Sequence, residues 1–271
     1  MGEEPVLGVT KLVNLLLGKP VAALLALLHI QPANPQYPIP NYFAMELVVF
    51  LFAIVFFLWL KPRISADRPG ATQQCMELLL TNPMGVGVKD LLDDIVGHDT
   101  ERHLTLFGTI GIFILLSNLA SLVPGFMSPT AVKVVPLGCA TVVFLYYNRF
   151  GITKHGPGGY AKTLLGPVPA ISPIIFLVET VSHFARLLSL TVRLWANMMV
   201  SELIFVSFLG LTVGLFSALG HWNPVGYISG VVPVLIPLAL SGFHIFEAIL
   251  QAFIFTILSV VYLGLATAEE H

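Results

Sequence analysis

Glu179-Thr-Val-Ser-His-Phe-Ala-Arg-Leu-Leu-Ser-Leu-Thr-Val-Arg-Leu-Trp-Ala-Asn-Met-Met-Val-Ser-Glu202 lies inside a long apolar run, yet it carries two carboxylates, two arginines and a histidine. A charge at the centre of a bilayer costs about 2.5–3.5 kcal/mol on insertion scales, so a charge retained there has a function by default. Read as a helix, Glu179, His183, Arg186, Ser189, Arg193, Asn197 and Ser201 follow one another at spacings of three or four. They therefore share one stripe of one face. On this reading Leu190 and Asn197 flank Arg193 on the face offered to a partner. Val192, Leu194 and Leu203 fall away toward lipid or packed neighbours.

A second polar stripe follows at His244, Glu247, Gln251, Ser259 and Tyr262. Between the two arms, His221-Trp222-Asn223-Pro224 reads as a turn. The arms are thus expected to form an antiparallel hairpin. Folding about Trp222–Asn223 sets Arg193 across from Gln251, Asn197 across from Glu247, and Glu202 across from His244. A kink at Pro233 or Pro237 would shift that register by a turn.

The composition fixes the class. Apolar residues make up 56% of the 271 residues and charged residues only 10%, against about 25% charged in soluble domains. The chain reads as a polytopic integral membrane protein, all α. A net charge of −2 gives no reason to expect nucleic acid. Cys75 and Cys139 have no metal or redox spacing and read as small buried hydrophobes.

Five crossings are expected, at about 42–60, 103–123, 132–148, 171–219 and 225–266. In residues 1–40, Lys19-Pro20 interrupts an apolar stretch, and Val21 to Ile30 alone is too short to span. No small-x-small cleavage site follows, as a signal peptide would require. The segment reads as an interfacial helix and linker, with an extra spanning helix as the alternative. Residues 41–271 then form a single membrane domain. Lys61, Arg63, Arg68, Lys89 and Arg102 mark one cytoplasmic segment, and Arg149, Lys154 and Lys162 another. The N-terminal side is therefore expected outside and the C-terminus inside. The runs 171–219 and 225–266 far exceed the about 20 residues needed to cross. Each is expected to tilt strongly or to break into an in-plane helix and a spanning one.

Catalytic readings find little support. Asp90, Asp93 and Asp94 form an acidic face that reads as solvated rather than metal-binding. Ser241 and His244 on one helix do not align as nucleophile and base. His244-x-x-Glu247 lacks the matching pair that a metal centre would need. No G-x-x-x-x-G-K-[ST] occurs, so nucleotide chemistry would belong to other chains. No metal or cofactor is expected. Arg193 cannot titrate and so cannot relay a proton, but it can attract or release a carboxylate. Glu202 and His244 form a titratable pair able to pass protons. Glu179 and Glu247 are further acids within the arms.

Ser189-Leu-Thr-Val-Arg193-Leu-Trp-Ala-Asn197-Met-Met-Val-Ser-Glu202-Leu is similar to the signature of subunit a of F-type ATP synthases, S-L-x-x-R-L-x-x-N-M-x-x-x-E/H-L. His244, the run from Gln251 to Leu258, and the Glu-Glu-His tail resemble that family's last helix. Ile39-Pro40, Ser117-Asn118-Leu119 and Ser128-Pro129-Thr130 resemble it more loosely, and residues 1–30 are not covered. The resemblance implies a stator subunit with two proton half-channels. It implies that Arg193 faces the carboxylate of a rotating c-ring, with Asn197 and Gln251 beside it. Glu202 and His244 would line the outer half-channel, and Glu179 and Ser182 would lie near the cytoplasmic one. The two long arms would be tilted helices facing the ring. Implied partners are the c-ring proteolipids, subunit b of the peripheral stalk, the rest of the complex and the bilayer, here a bacterial plasma membrane. Some members carry a carboxylate three residues after the asparagine of the second helix; this chain has Ser121 there. Glu247 is an extra acid. The rival reading, a self-contained proton-coupled transporter, would show internal repeats, and the sequence has none.

Overall fold

The computed structural model describes residues 6–32, 34–65, 69–80, 87–97, 100–123, 125–165, 171–219 and 224–268. All regular structure among them is helical. Eight α-helices run in chain order: α1 Gly8–Leu27, α2 Asn41–Leu60, α3 Ala71–Leu80, α4 Val88–Ile95, α5 Thr100–Ala120, α6 Val134–Leu165, α7 Ser172–Leu219 and α8 Pro224–Thr267. Short 3₁₀ turns cover Lys61–Arg63 and Pro129–Ala131.

Helices dominate because a chain this apolar must satisfy its backbone groups internally once in lipid. Among the described residues, five helices have the length and composition to cross a membrane: Gly8–Leu27, Asn41–Arg63, Thr100–Ala120, Ser172–Gly214 and Leu238–Thr267. Two helices differ in their bounds from the expected segments. α1 continues through Lys19 and Pro20 as one 20-residue helix, which Val21–Ile30 alone could not be. Proline removes one backbone donor, but apolar residues on both sides hold the helix together. Conversely, α6 is not among the five. The stretch read as a crossing at 132–148 begins a longer helix that takes on Asn148 and Arg149 and breaks at Gly156, where φ is 71°.

α7 is a single 48-residue helix and α8 a single 44-residue one. The alternative of an in-plane piece broken from a spanning piece does not occur. The turn expected at His221–Asn223 lies outside the described residues.

The chain divides into two compact units, described here separately. The first joins residues 1–56, 115–132 and 197–249. Within it, α1 packs through Val13 onto Ile39 and Ala44, with Val9, Val21, Leu47 and Val48 around them. Asn14 clamps that contact. Its Nδ2 donates to the carbonyls of Thr10 (2.8 Å) and Ile39 (3.0 Å), and its Oδ1 accepts the Ile39 N–H at 3.0 Å. Ile39 is 1% exposed, so Asn14→Ala would strand both of its backbone groups, at a cost of about 1–3 kcal/mol. We expect the variant to be cut faster by protease within residues 31–40. Unchanged cleavage would show that the clamp does not hold this segment.

The second unit joins residues 57–114, 133–196 and 250–271. At its edge Arg63 ends α2: the guanidinium lies 4.0 Å from the Trp59 ring centroid and donates to the Trp59 carbonyl. This is how a cation at the end of a spanning helix keeps company. Inside the unit α5 and α8 approach closely. A Cβ added at Gly111 would come within 2.7 Å of Thr256 Oγ1, so only glycine fits there.

Candidate functional site

The first unit holds a buried polar cluster centred on His244. The ring is 3% exposed. Its Nδ1 lies 2.7 Å from Ser201 Oγ on α7. Its Nε2 lies 3.0 Å from Ser121 Oγ and 3.3 Å from the Asn118 carbonyl at the end of α5. Asn118 also donates to the Ala248 carbonyl and accepts from Thr130 Oγ1 at 2.6 Å. Thr130 is bonded to Ser128 Oγ, which donates back to the Ser117 carbonyl. The Ser128 backbone lies close to the carboxylate of Glu202. Polar groups buried this deeply are stable only when paired, and these are.

This arrangement corrects one expectation. Folding about the turn set Glu202 opposite His244, but the direct partner is Ser201, one residue earlier. A one-residue step on a helix rotates the side chain by about 100°. Ser201 therefore points at α8, and Glu202 turns toward the Ser128 segment. Glu247, one turn along α8, is half-buried.

The second unit holds a different cluster. Glu179 pairs with Arg186 at 3.2 Å and lies 3.7 Å from His183 Nε2. Tyr147 Oη is 3.4 Å from His183 Nδ1. Arg186 lies over the Tyr262 ring at 5.7 Å. Tyr160, past the apolar part of α6, donates to Asn148 Oδ1 at 2.8 Å. Burial pushes the Tyr160 phenol up, Arg186 partly offsets this, and Glu179 adds to it. Ser182 is half-buried on the same helix as Glu179.

Arg193 and Gln251 also belong to this unit. Gln251 is 1% exposed. Arg193 is half-buried, and among the described residues no carboxylate forms an ion pair with it. It sits at the border of two faces of α7. Leu190, Leu194 and Met198 are buried on one side; Val192, Val200 and Leu203 are exposed on the other, as is Asn197. This corrects the expectation for Leu190, which the stripe placed on the offered face and which is 3% exposed. Ser189 and Asn197 flank Arg193 instead.

The chain matches the ATP synthase A chain family over residues 43–264. It belongs to that family. It is 38% identical over 262 residues to ATP synthase subunit a of Koribacter versatilis (strain Ellin345), covering 97% of each chain. It is 38% identical over 234 residues to ATP synthase subunit a of Solibacter usitatus (strain Ellin6076), covering 86% of this chain and 90% of the relative. To ATP synthase subunit a 3 of Pelobacter propionicus it is 32% identical over 249 residues, 92% of this chain and 94% of the relative. As a member of the ATP synthase A chain family it is an integral membrane component of a proton-translocating complex. The resemblance drawn from Arg193, Asn197 and Glu202 therefore extends to nearly the whole chain. The match to the Koribacter relative, over 97% of this chain, takes in most of residues 1–30, which that resemblance did not cover.

Sequence reading had not linked Ser128, Thr130 and Ser201 to His244. The signal was present in part: Ser201 closes the α7 stripe, and Ser128-Pro129-Thr130 is a polar turn facing an otherwise apolar chain. Tyr147, Tyr160 and Asn148 gave no such signal, because nothing in their spacing ties them to Glu179.

Proposed function

We propose that this chain is the stator half of the membrane sector of a rotary ATP synthase, giving protons two half-channels to and from a carboxylate on a rotating c-ring. The observation that carries the reading is Arg193. It is a permanent cation within the apolar span Ser172–Gly214, at the border of an exposed apolar face. Such a charge attracts a carboxylate brought in by another chain and bars a proton from passing straight through. One half-channel is built on Glu202 and His244 and opens outside. The other is built on Glu179 and Ser182 and opens to the cytoplasm of a bacterium. Asn197, one turn along α7 from Arg193, and Gln251 are polar positions of the same path, and Glu247 is a further acid in the last helix. Subunit b and the nucleotide-binding subunits complete the assembly.

The exposed face supports a large apolar partner. Ile174, Leu177, Val181, Phe184, Leu188 and Val192 all stand open along α7. Cysteines at Asn197 and Val200 are expected to cross-link to the ring proteolipid in native membranes, and cysteines at Leu190 and Leu194 are not. Cross-linking at all four positions would remove the idea of one ring-facing side.

A further inference from the structure

The hydrogens around His244 can be counted. The Asn118 main-chain carbonyl, 3.3 Å from Nε2, can only accept. Ser121 Oγ, 3.0 Å from the same nitrogen, has one hydrogen, which that carbonyl can take at 3.2 Å. A lone pair on Nε2 would face the carbonyl oxygen, whereas an N–H there satisfies it. The assignment that satisfies every group puts the hydrogen on Nε2 and leaves Nδ1 as the acceptor. On that assignment Ser201 Oγ donates to Nδ1 at 2.7 Å. Ser121 and Ser201 are each 9% exposed, so bulk water competes little for either contact.

We propose that Ser201 is a positioning residue that fixes this tautomer, so that a proton can join the ring only at Nδ1, on the α7 side and one residue from Glu202. This rests on the reading of His244 as part of the outer proton path. The hydroxyl of Ser201 passes its hydrogen to Nδ1 and takes another from the proton source on its far side, a water or the Glu202 carboxylic acid. The ring is then an imidazolium with a hydrogen on both nitrogens. Return of the Nδ1 hydrogen to the same oxygen, as that oxygen gives its own hydrogen onward to a water or the Glu202 carboxylate, restores the neutral ring. Ser121 has a lesser part, because the Asn118 carbonyl can hold the Nε2 hydrogen without it.

The test is ATP-driven proton uptake by inverted vesicles carrying the complete ATP synthase, per amount of this chain in the membrane. Ser201→Ala is expected to lose about tenfold or more, short of the about 100-fold for losing the proton-transfer group itself. Ser201→Thr keeps the hydroxyl and is expected to recover most of the rate. Ser121→Ala is expected to lose less than Ser201→Ala, since one acceptor remains on Nε2. Three results would each overturn the proposal: an unimpaired Ser201→Ala, a Ser201→Thr as slow as Ser201→Ala, or a Ser121→Ala as slow as Ser201→Ala. His244→Gln separates the two levels. It keeps a donor and an acceptor but has no imidazole, so full flux in it would remove the ring from the path altogether. Loss in His244→Gln with no loss in Ser201→Ala would overturn only the tautomer assignment.

Discussion

Arg193→Ala is expected to abolish ATP-driven proton uptake into inverted vesicles while raising their passive proton leak. The two effects have one cause. At an effective dielectric constant of about 20, unit charges about 4 Å apart attract by about 4 kcal/mol, close to three powers of ten in occupancy. With that term gone, a ring carboxylate is neither drawn to this level of α7 nor made to give up its proton there. Pumping should fall by a factor of about 100 or more. The barrier to direct passage falls with it, so vesicles stripped of the nucleotide-binding subunits should lose a proton gradient faster than those of the natural chain. Arg193→Lys should fail as well, because a compact ammonium on a flexible stem lacks the planar fork of the guanidinium and loses its proton more readily in an apolar site. Coupled pumping at the natural rate in Arg193→Ala vesicles would refute the electrostatic barrier. Loss of pumping without any rise in leak would leave the attraction and remove the gate.

The second large effect is at Glu202 and His244. Each single alanine variant should cut proton flux by about 100-fold, the low end for loss of a positioned acid or base. Independent steps would multiply, giving about 10⁴-fold in the double variant; groups in one path should leave it close to the worse single. The same vesicle assay reads all three. Exchanging the two residues is a sharper case. A direct acid–base pair would tolerate the exchange, and the turn-based register suggested such a pair. The side chains instead have separate surroundings: Ser201, Ser121 and the Asn118 carbonyl for the imidazole, and the Ser128 backbone near the carboxylate. A glutamate at 244 would turn a carboxylate toward the Asn118 carbonyl, which cannot donate to it. Glu202→His combined with His244→Glu is therefore expected to remain inactive. Recovery of a large share of the flux would show that the hydroxyls are incidental and that the acid and the base meet directly.

Much of the molecule was legible from spacing alone. The polar stripe on α7 marked the residues worth following because an apolar helix has no bland use for an arginine at position 193. The three-to-four periodicity placed Glu179, His183 and Arg186 on one face, and two of the contacts within the second unit join those residues. The α1 segment was less legible: Lys19-Pro20 reads as an interruption, yet the helix continues through it from Gly8 to Leu27.

The sequence by itself determined the membrane class, the helical content and the long arms, and it singled out Arg193, Glu202 and His244 as the residues to follow. These follow from local facts, namely run length, hydropathy and the 3.6-residue period, and they need no knowledge of what lies opposite. Tertiary structure alone decided the partners. Which of Ser201 and Glu202 meets His244 depends on a rotation of about 100° per residue and on the pairing of α7 with α8, and a one-residue shift exchanges a hydroxyl for a carboxylate. The neighbour of the Glu202 carboxylate is the Ser128 backbone, more than seventy residues away in the chain. Backbone groups are common to every residue, so no reading of side-chain types could have singled this one out.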